Sequence, residues 1–391
     1  MSHENEPQDS NEPNLKSRRS FLKKSTAVAA GAVAIGMQPE MLLAMGKSKS
    51  KVAEDTSGSA SVATGGKGDT RPFGRLANPI QELRRSYDVV VIGSGYGGSV
   101  MASRLAQGRS VALLERGREW RQGEFPSTAI DAKFQLRSKL NPLGLFDFRT
   151  HDDLDVLVGS GLGGTSLINA NVVIAPDRDV FDQAKWPEEI RRDRDSGKLD
   201  ELYSRVRSTL QIERYPWAQN AMFSMVPKSE VFADGISRTG GSFSKCDLTV
   251  NFQKTDNRVN PAGVVQSRCT LCGDCVTGCN VGAKNTLDKN YIPLAKRQGA
   301  QIFTQMEVSY VAKAAGGGYL IHYVHRDGDF LERGRRGVIR AKSVVFAAGS
   351  LGSTELLLRS AKFGGLAVSN TIGVGFSGNA DFLGISYNGD K

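Results

Sequence analysis

Histidine is scarce in this sequence: 391 residues contain only His3, His151, His322 and His325. Imidazole is the commonest general base, so candidates for that role are few. His322 and His325 stand in a stretch that reads as a β-meander, where an exposed or structural role is expected. The weakly apolar run Ser25–Met37 is too short and too alanine-rich to cross a bilayer, which takes about 20 apolar residues. Aromatic residues make up 7% of the chain and no basic stripe interleaves with them. The net charge of +10 is spread along the chain, so no nucleic-acid partner is expected. Cysteine is limited to five residues, and no internal repeat is evident. What remains, 39% hydrophobic and 24% charged, is the composition of a globular chain long enough for two or three domains.

Glycine is plentiful, at 44 residues, and its placement is informative. Tyr87–Ile92 is an apolar, β-branched run that reads as a buried parallel strand. It leads into Gly93-Ser94-Gly95-Tyr96-Gly97-Gly98, a helical stretch Ser99–Ala106, and a second strand Ser110–Leu114 ending on Glu115. This is the dinucleotide-binding pattern. Gly93 allows the tight turn, Gly95 lets the backbone approach a pyrophosphate, and Gly98 lets helix pack on strand. The helix N-terminus offers free N–H groups to the phosphates. Glu115, about 20 residues on, is placed to accept hydrogen bonds from a ribose 2′-hydroxyl. An acidic residue there disfavours NADP, whose 2′-phosphate it would repel, but does not separate NAD from FAD.

A second glycine cluster, Gly159–Thr165, leads to Asn169 and Asn171. Glycines give no side-chain burial, so the cluster suits backbone that approaches a flat or phosphorylated ligand, with Asn169 as an amide donor. Further along, Trp186–Arg214 reads as helices and Phe243–Phe252 as a strand. Asn285 or Thr286 can cap a helix from Leu287 to Gln298. Gln301–Ala312 and Tyr319–His325 read as antiparallel strands around the turn Gly316–Gly318. Ser343–Ala347 reads as a second buried strand, turned by Ala348-Gly349-Ser350 into the helix Leu351–Ser360.

Four cysteines, Cys269, Cys272, Cys275 and Cys279, follow the spacing of ferredoxin-type iron–sulfur ligation. Asn280 stands where that run has proline, and Cys246 is a further thiol that could complete a ligand set. Two other readings stay open. Disulfides suit an oxidising compartment, though such close spacings strain their geometry. A loop of free thiols that only packs is the third. At the N-terminus, Arg18-Arg19 before the Ser25–Met37 run resembles a twin-arginine export signal. The twin-arginine translocase is then an expected partner, and a periplasmic or secreted location the expected destination. The Gly/Ser/Lys-rich segment that follows reads as a flexible linker.

Taken in order, Tyr87–Gly98 with Glu115, Gly161–Asn169, Cys272–Asp288, Val344–Arg359 and Gly375–Leu383 resemble the glucose–methanol–choline (GMC) oxidoreductases. These are FAD enzymes that oxidise alcohols, and the resemblance is strongest to their bacterial cholesterol-oxidase-like branch. It implies an α/β fold: a Rossmann-like FAD-binding domain of the glutathione-reductase type with an inserted, incomplete α+β substrate domain. The expected boundaries are an export signal over 1–45, a linker over 46–84, FAD-binding segments over 85–185 and 283–391, and the substrate insertion over 186–282. Family roles place Gly93, Ser94, Gly95, Gly97 and Gly98 at the pyrophosphate and Glu115 at the adenosine ribose. Gly163, Gly164, Thr165 and Asn169 would lie along pyrophosphate and flavin, the Val308 backbone near adenine, and Ala348 and Gly349 beside the cofactor.

The substrate is then a small-molecule alcohol, such as a 3β-hydroxysteroid, with hydride passing to flavin and electrons going on to O₂ or to an external acceptor. An iron–sulfur route to an external acceptor, or a flavin-binding fragment without catalysis, are the alternatives. In this family a histidine paired with asparagine or a second histidine removes the alcohol proton. No histidine here occupies that position, so the catalytic residues are expected beyond Lys391 and the chain is expected to be incomplete.

Overall fold

The strand Ser86–Ile92 (β1) is buried on both faces, and its side chains alternate between two different cores. Val89 and Val91 pack with the helix Tyr96–Leu105 (α1), while Val90 and Ile92 face the opposite layer. The next strand, Val111–Leu114 (β2), does the same with Val111 and Leu113 against Ala112 and Leu114. Coverage on both faces is why these strands read as continuous apolar runs. This computed structural model describes residues 74–152, 154–217, 226–253, 258–327 and 334–378. The expected export signal and linker lie outside these residues up to position 73, as does the end of the Gly375–Leu383 segment.

The main sheet has six strands. Gln301–Phe303 (β3), β2, β1 and the upper half of Arg335–Phe346 (β6) are parallel in the order β3-β2-β1-β6. The lower half of β6 pairs antiparallel with Tyr319–His325 (β5), which pairs in turn with Met306–Lys313 (β4). One long strand thus belongs to both a parallel sheet and a meander. Ile321, Ile339, Val308 and Val311 of the meander bury Val90, Ile92 and Leu114. On the other face, Tyr291–Arg297 (α4) joins α1 through Tyr291, Ile292 and Ala295. The layers are helices, parallel sheet and meander, a Rossmann-like α/β arrangement as expected.

Several elements differ from their sequence readings. The strand expected over 301–312 breaks at Thr304 and Gln305, because the chain leaves β3 there to enter the meander; Gln305 takes a φ of +62° at that corner. Of the strand expected over Phe243–Phe252, only Asp247–Leu248 forms, in a small antiparallel sheet with Val172–Val173 and Glu213–Arg214. The helix expected from Leu287 begins as a 3-10 turn, and Asn290, whose side chain accepts from the Tyr291 N–H, caps α4 in place of Asn285 or Thr286. The helices of Trp186–Arg214 form as Glu188–Asp195 (α2) and Lys198–Leu210 (α3). The strand expected over Ser343–Ala347 is the end of the much longer β6. Val344–Phe346 are half-buried and Ser343 is exposed, since among the described residues β1 is the only strand beside this half.

Two units emerge from the contacts within the chain. The described parts of 74–148 and 157–378 form one, so residues 186–217, 226–253 and 258–282 share a unit with the parallel sheet. Residues 149–152 and 154–156 fall in the other, with strand backbone at 149–150 and 155–156. Leu113 of β2, fully buried against the helices, tests the core. Leu113→Ala should lower unfolding free energy by about 2–5 kcal/mol in a denaturant titration.

Candidate functional site

At the carboxyl end of β1 the chain turns through Gly93, which has φ +98°. A Cβ there would lie 2.3 Å from the Ala347 carbonyl oxygen at the end of β6, so the turn needs glycine for both backbone and space. A Cβ on Gly98 would lie 1.8 Å from the Gly93 carbonyl oxygen, which is how closely α1 sits on the loop. Gly95 and Gly97 are different. Neither has a positive φ, and beyond the chain neighbours and the helix's own backbone no atom lies within 4 Å of where a Cβ would be. Gly95 has φ −64° and ψ −168°, ordinary extended backbone. The protein's own packing gives no reason for glycine at these two positions, which face open space at the N-terminus of α1.

Around this loop the structure gathers the other predicted residues. Ser94 is fully buried. Its hydroxyl donates to a Glu115 carboxylate oxygen at 2.5 Å and accepts from the Gly163 N–H at 2.9 Å. Its own N–H donates to the same Glu115 oxygen at 3.1 Å, while the other Glu115 oxygen accepts from the Gly117 N–H at 2.9 Å. Ser94, assigned to pyrophosphate contact on sequence, is thus a structural link between the two glycine clusters. A Cβ on Gly164 would lie 2.9 Å from the Gly95 Cα, so the second cluster lies directly on the first. The Asn169 side-chain amide donates to the Tyr96 hydroxyl at 2.8 Å, again at the head of α1. Thr165 is exposed beside them and accepts from the Gly159 N–H at 3.2 Å.

Glu115 is also fixed through its backbone. Its N–H donates to the Phe303 carbonyl and its carbonyl accepts from Met306, so the crossing from β3 into β4 passes over the end of β2. Val308 follows in β4 and is buried. Next to it Glu307 bonds Arg326 at 3.0 Å and lies 3.6 Å from Arg137. Burial raises the Glu307 pKa, but these guanidinium groups outweigh it and hold the carboxyl below its ordinary value. Ala348 and Gly349 head the helix Gly349–Gly364 (α5), beside Gly93 because β6 lies next to β1. Leu356 of α5 packs on the meander face, opposite α1. Two helix N-termini therefore open at one sheet edge, on either side of the point where chain order reverses, which is where α/β sheets bind ligands.

The cysteine segment presents free, partly packed thiols. Among the described residues no three His, Cys, Asp or Glu side chains are placed to hold a metal ion. Cys269 and Cys279 instead pack with Val250, Phe252 and Ala283, and all five cysteines are free thiols. Burial pushes the Cys269 thiol up to about 11 and raises Cys275. Asn280 explains its departure from the ferredoxin pattern. Its side chain accepts from the Gly123 and Phe125 N–H groups and donates to the Phe125 carbonyl, fastening the loop to the 120–125 turn. Of the described histidines, His322 stacks on Tyr310 and His325 is buried, both within β5; His151 is exposed.

Three residues of the site had no sequence reading. A Cβ on Gly117 would lie 2.3 Å from the Gly161 N, so this position also joins the clusters. The Ser166 hydroxyl donates to the Gly163 carbonyl and accepts from the Leu287 N–H. Lys284 is the third, a fully buried cation. Only its place in the GAKNT stretch marks it in sequence.

The GMC oxidoreductase family model matches residues 87–375, which hold every part of this arrangement. The chain belongs to the GMC oxidoreductase family. It is 34% identical over 300 residues to a cholesterol oxidase of Mycobacterium tuberculosis, covering 75% of this chain and 51% of that protein. It is 30% identical over 321 residues to a cholesterol oxidase of Acinetobacter baumannii, covering 78% and 56%. A long-chain-alcohol oxidase of Arabidopsis thaliana is 25% identical over 297 residues, covering 70% and 34%. The GMC chain thus spans about half the length of the cholesterol oxidases it matches. Among its described residues no helix is long and apolar enough to cross a membrane.

Gly98→Ala should misplace α1 against β1. It is expected to lower the melting temperature by several degrees or abolish soluble expression, whereas Gly97→Ala, into open space, should leave the melting temperature unchanged.

Proposed function

We propose that this chain is the FAD-holding part of an FAD-dependent oxidoreductase acting on CH–OH groups. The observation that carries the reading is the emptiness around Gly95 and Gly97. Glycine stands there with no conformational or packing cause, at a helix N-terminus and against a second glycine loop. A cofactor diphosphate is the group that such bare backbone accommodates. The residues present fit FAD. The first-turn N–H groups of α1 have no intrahelical acceptors and would bind the pyrophosphate. Glu115 would hold the adenosine ribose, the Val308 backbone the adenine, and Gly163, Gly164, Thr165 and Asn169 the stretch toward the flavin. Ala348 and Gly349 would close the other side.

Bound FAD supplies a hydride acceptor for an alcohol carbon. The chain's own contribution is to orient that cofactor and shield it. Glu115, its carboxylate pre-positioned by the Ser94 and Gly117 N–H groups, needs no reorganisation to receive a ribose hydroxyl. Asn169 keeps its amide at the head of α1 through Tyr96. The nature of the relatives supports a hydrophobic alcohol as substrate, including a 3β-hydroxysteroid, with O₂ as the acceptor.

Gly95→Val separates cofactor space from protein space, since φ −64° is open to an L side chain and a Cβ there meets nothing within 4 Å beyond its chain neighbours. Wild-type protein should retain FAD through gel filtration and show flavin absorption. The variant should keep its melting temperature but bind FAD at least about tenfold more weakly. If Gly95→Val binds FAD as the wild type does, the cradle is not where we place it. With flavin loaded into the full-length protein under anaerobic conditions, bleaching by cholesterol but not by ethanol would support the steroid; the reverse would exclude it.

A further inference from the structure

Lys284 is the most unusual charge in the molecule. Its side chain is 1% exposed, yet among the described residues its ammonium meets carbonyl oxygens and no carboxylate. Nζ donates to Leu167 O at 3.2 Å, to Asn169 O at 2.7 Å and to Cys275 O at 2.9 Å. An ammonium has three donors, and all three are used. Taking a charge out of water without an opposite charge is costly, so a lysine in this state acts against stability unless its bonds hold something in place.

Two of its acceptors lie in the turn that follows the second glycine cluster. That turn closes on itself through the Ile168 and Asn169 N–H groups, which both donate to the Thr165 carbonyl, but the residues after it are held differently. Asn171 has φ +67° without being glycine, and it is buried. Its backbone groups are tied once from outside the turn and once from within it. The Asn171 carbonyl accepts from the Thr249 N–H at 2.9 Å, and its N–H donates to Asn169 Oδ1 at 3.3 Å. This last bond orients the Asn169 side chain, so that its amide reaches Tyr96 at the head of α1. The third acceptor, Cys275, belongs to the cysteine loop, which the Val250–Lys284 bridge joins to the same region.

We propose that Lys284 is a positioning residue of the cofactor cradle: its buried ammonium clamps the Leu167–Asn171 turn to the cysteine loop and so holds Asn169 where it faces the cofactor. This rests on the FAD reading above. It gives the cysteine loop a role as the anchor of that clamp, through a backbone carbonyl rather than a thiol. It also makes cofactor affinity depend on the charge of Lys284. The amine form has only two donors for three buried carbonyls. Burial pushes Lys284 down to about 8, against the opposing influence of Cys275, Cys279 and Asp288, which face it. Deprotonation therefore begins within the accessible pH range, and the clamp loosens as pH rises through about 8.

The test combines FAD titration with hydrogen exchange. Lys284→Met keeps the length and removes the charge. It should bind FAD about tenfold more weakly or worse, the consequence of leaving buried carbonyls without donors. Wild-type affinity should fall as pH rises through about 8, in Cys279→Ser as in the wild type, while Lys284→Met should be flat across the same range. Without FAD, amide exchange in Lys284→Met should rise locally over 162–171 and stay unchanged in β1 and β2. Wild-type FAD affinity in Lys284→Met, or unchanged exchange over 162–171, overturns the proposal. If the variant does not fold, the wild-type pH profile decides, and a flat one overturns it. A wild-type chain that takes up no FAD at any pH instead overturns the flavin reading and the cofactor role with it. The exchange measurement then still reports whether Lys284 fastens the turn.

Discussion

The Ser94 hydroxyl lies where three segments far apart in sequence meet. It donates to Glu115 at the end of β2 and accepts from Gly163 in the second glycine cluster, while its backbone belongs to the first. All of these groups are buried, so each bond is made without competition from water and would be expensive to lose. The consequence is geometric. Gly164 can lie on Gly95, and Gly117 on Gly161, only because the loops carrying them are pinned at this point. The crossing from β3 to β4 adds a backbone clamp on Glu115 from the opposite side. The bare backbone at the head of α1 is thereby held open rather than collapsed.

Much of this was legible in the residues. The parallel strands could be read because burial on both faces leaves no polar alternation, and Gly93 and Gly98 sit where their spacing predicts a turn and a close helix contact. The pairing of the two glycine clusters was not legible, since it depends on a serine whose partners are 21 and 69 positions away. Ser94 in particular reads in sequence as a ligand contact, and its bonds to Glu115 and Gly163 carry no local signal. β6 was read too short because its two halves belong to different layers, and no local pattern marks a strand that changes partners. The corner at Thr304–Gln305 was hidden for the same reason: local propensity on both sides is extended, and tertiary packing makes the break.

The cysteine run shows the limit of spacing as a guide. Its intervals suit a cluster, but where the thiols point is set by neighbours that spacing does not report. Val250 and Phe252 draw Cys269 and Cys279 into an apolar cluster, and Asn280 stitches the loop to the 120–125 turn. What the segment contributes to the site is backbone: the Cys275 carbonyl that meets Lys284. The bare glycine backbone and the buried Glu115 are thus supported by groups far from them in sequence.

A double-mutant cycle on FAD affinity tests the central claim, with Ser94→Ala, Glu115→Gln and the double variant compared with the wild type. If the hydroxyl and the carboxylate act as one unit, the losses will be far from additive, with a coupling of about 0.5–3 kcal/mol. Losses that simply add would show that Ser94 and Glu115 serve the cofactor independently, and that the two glycine loops are not joined through them.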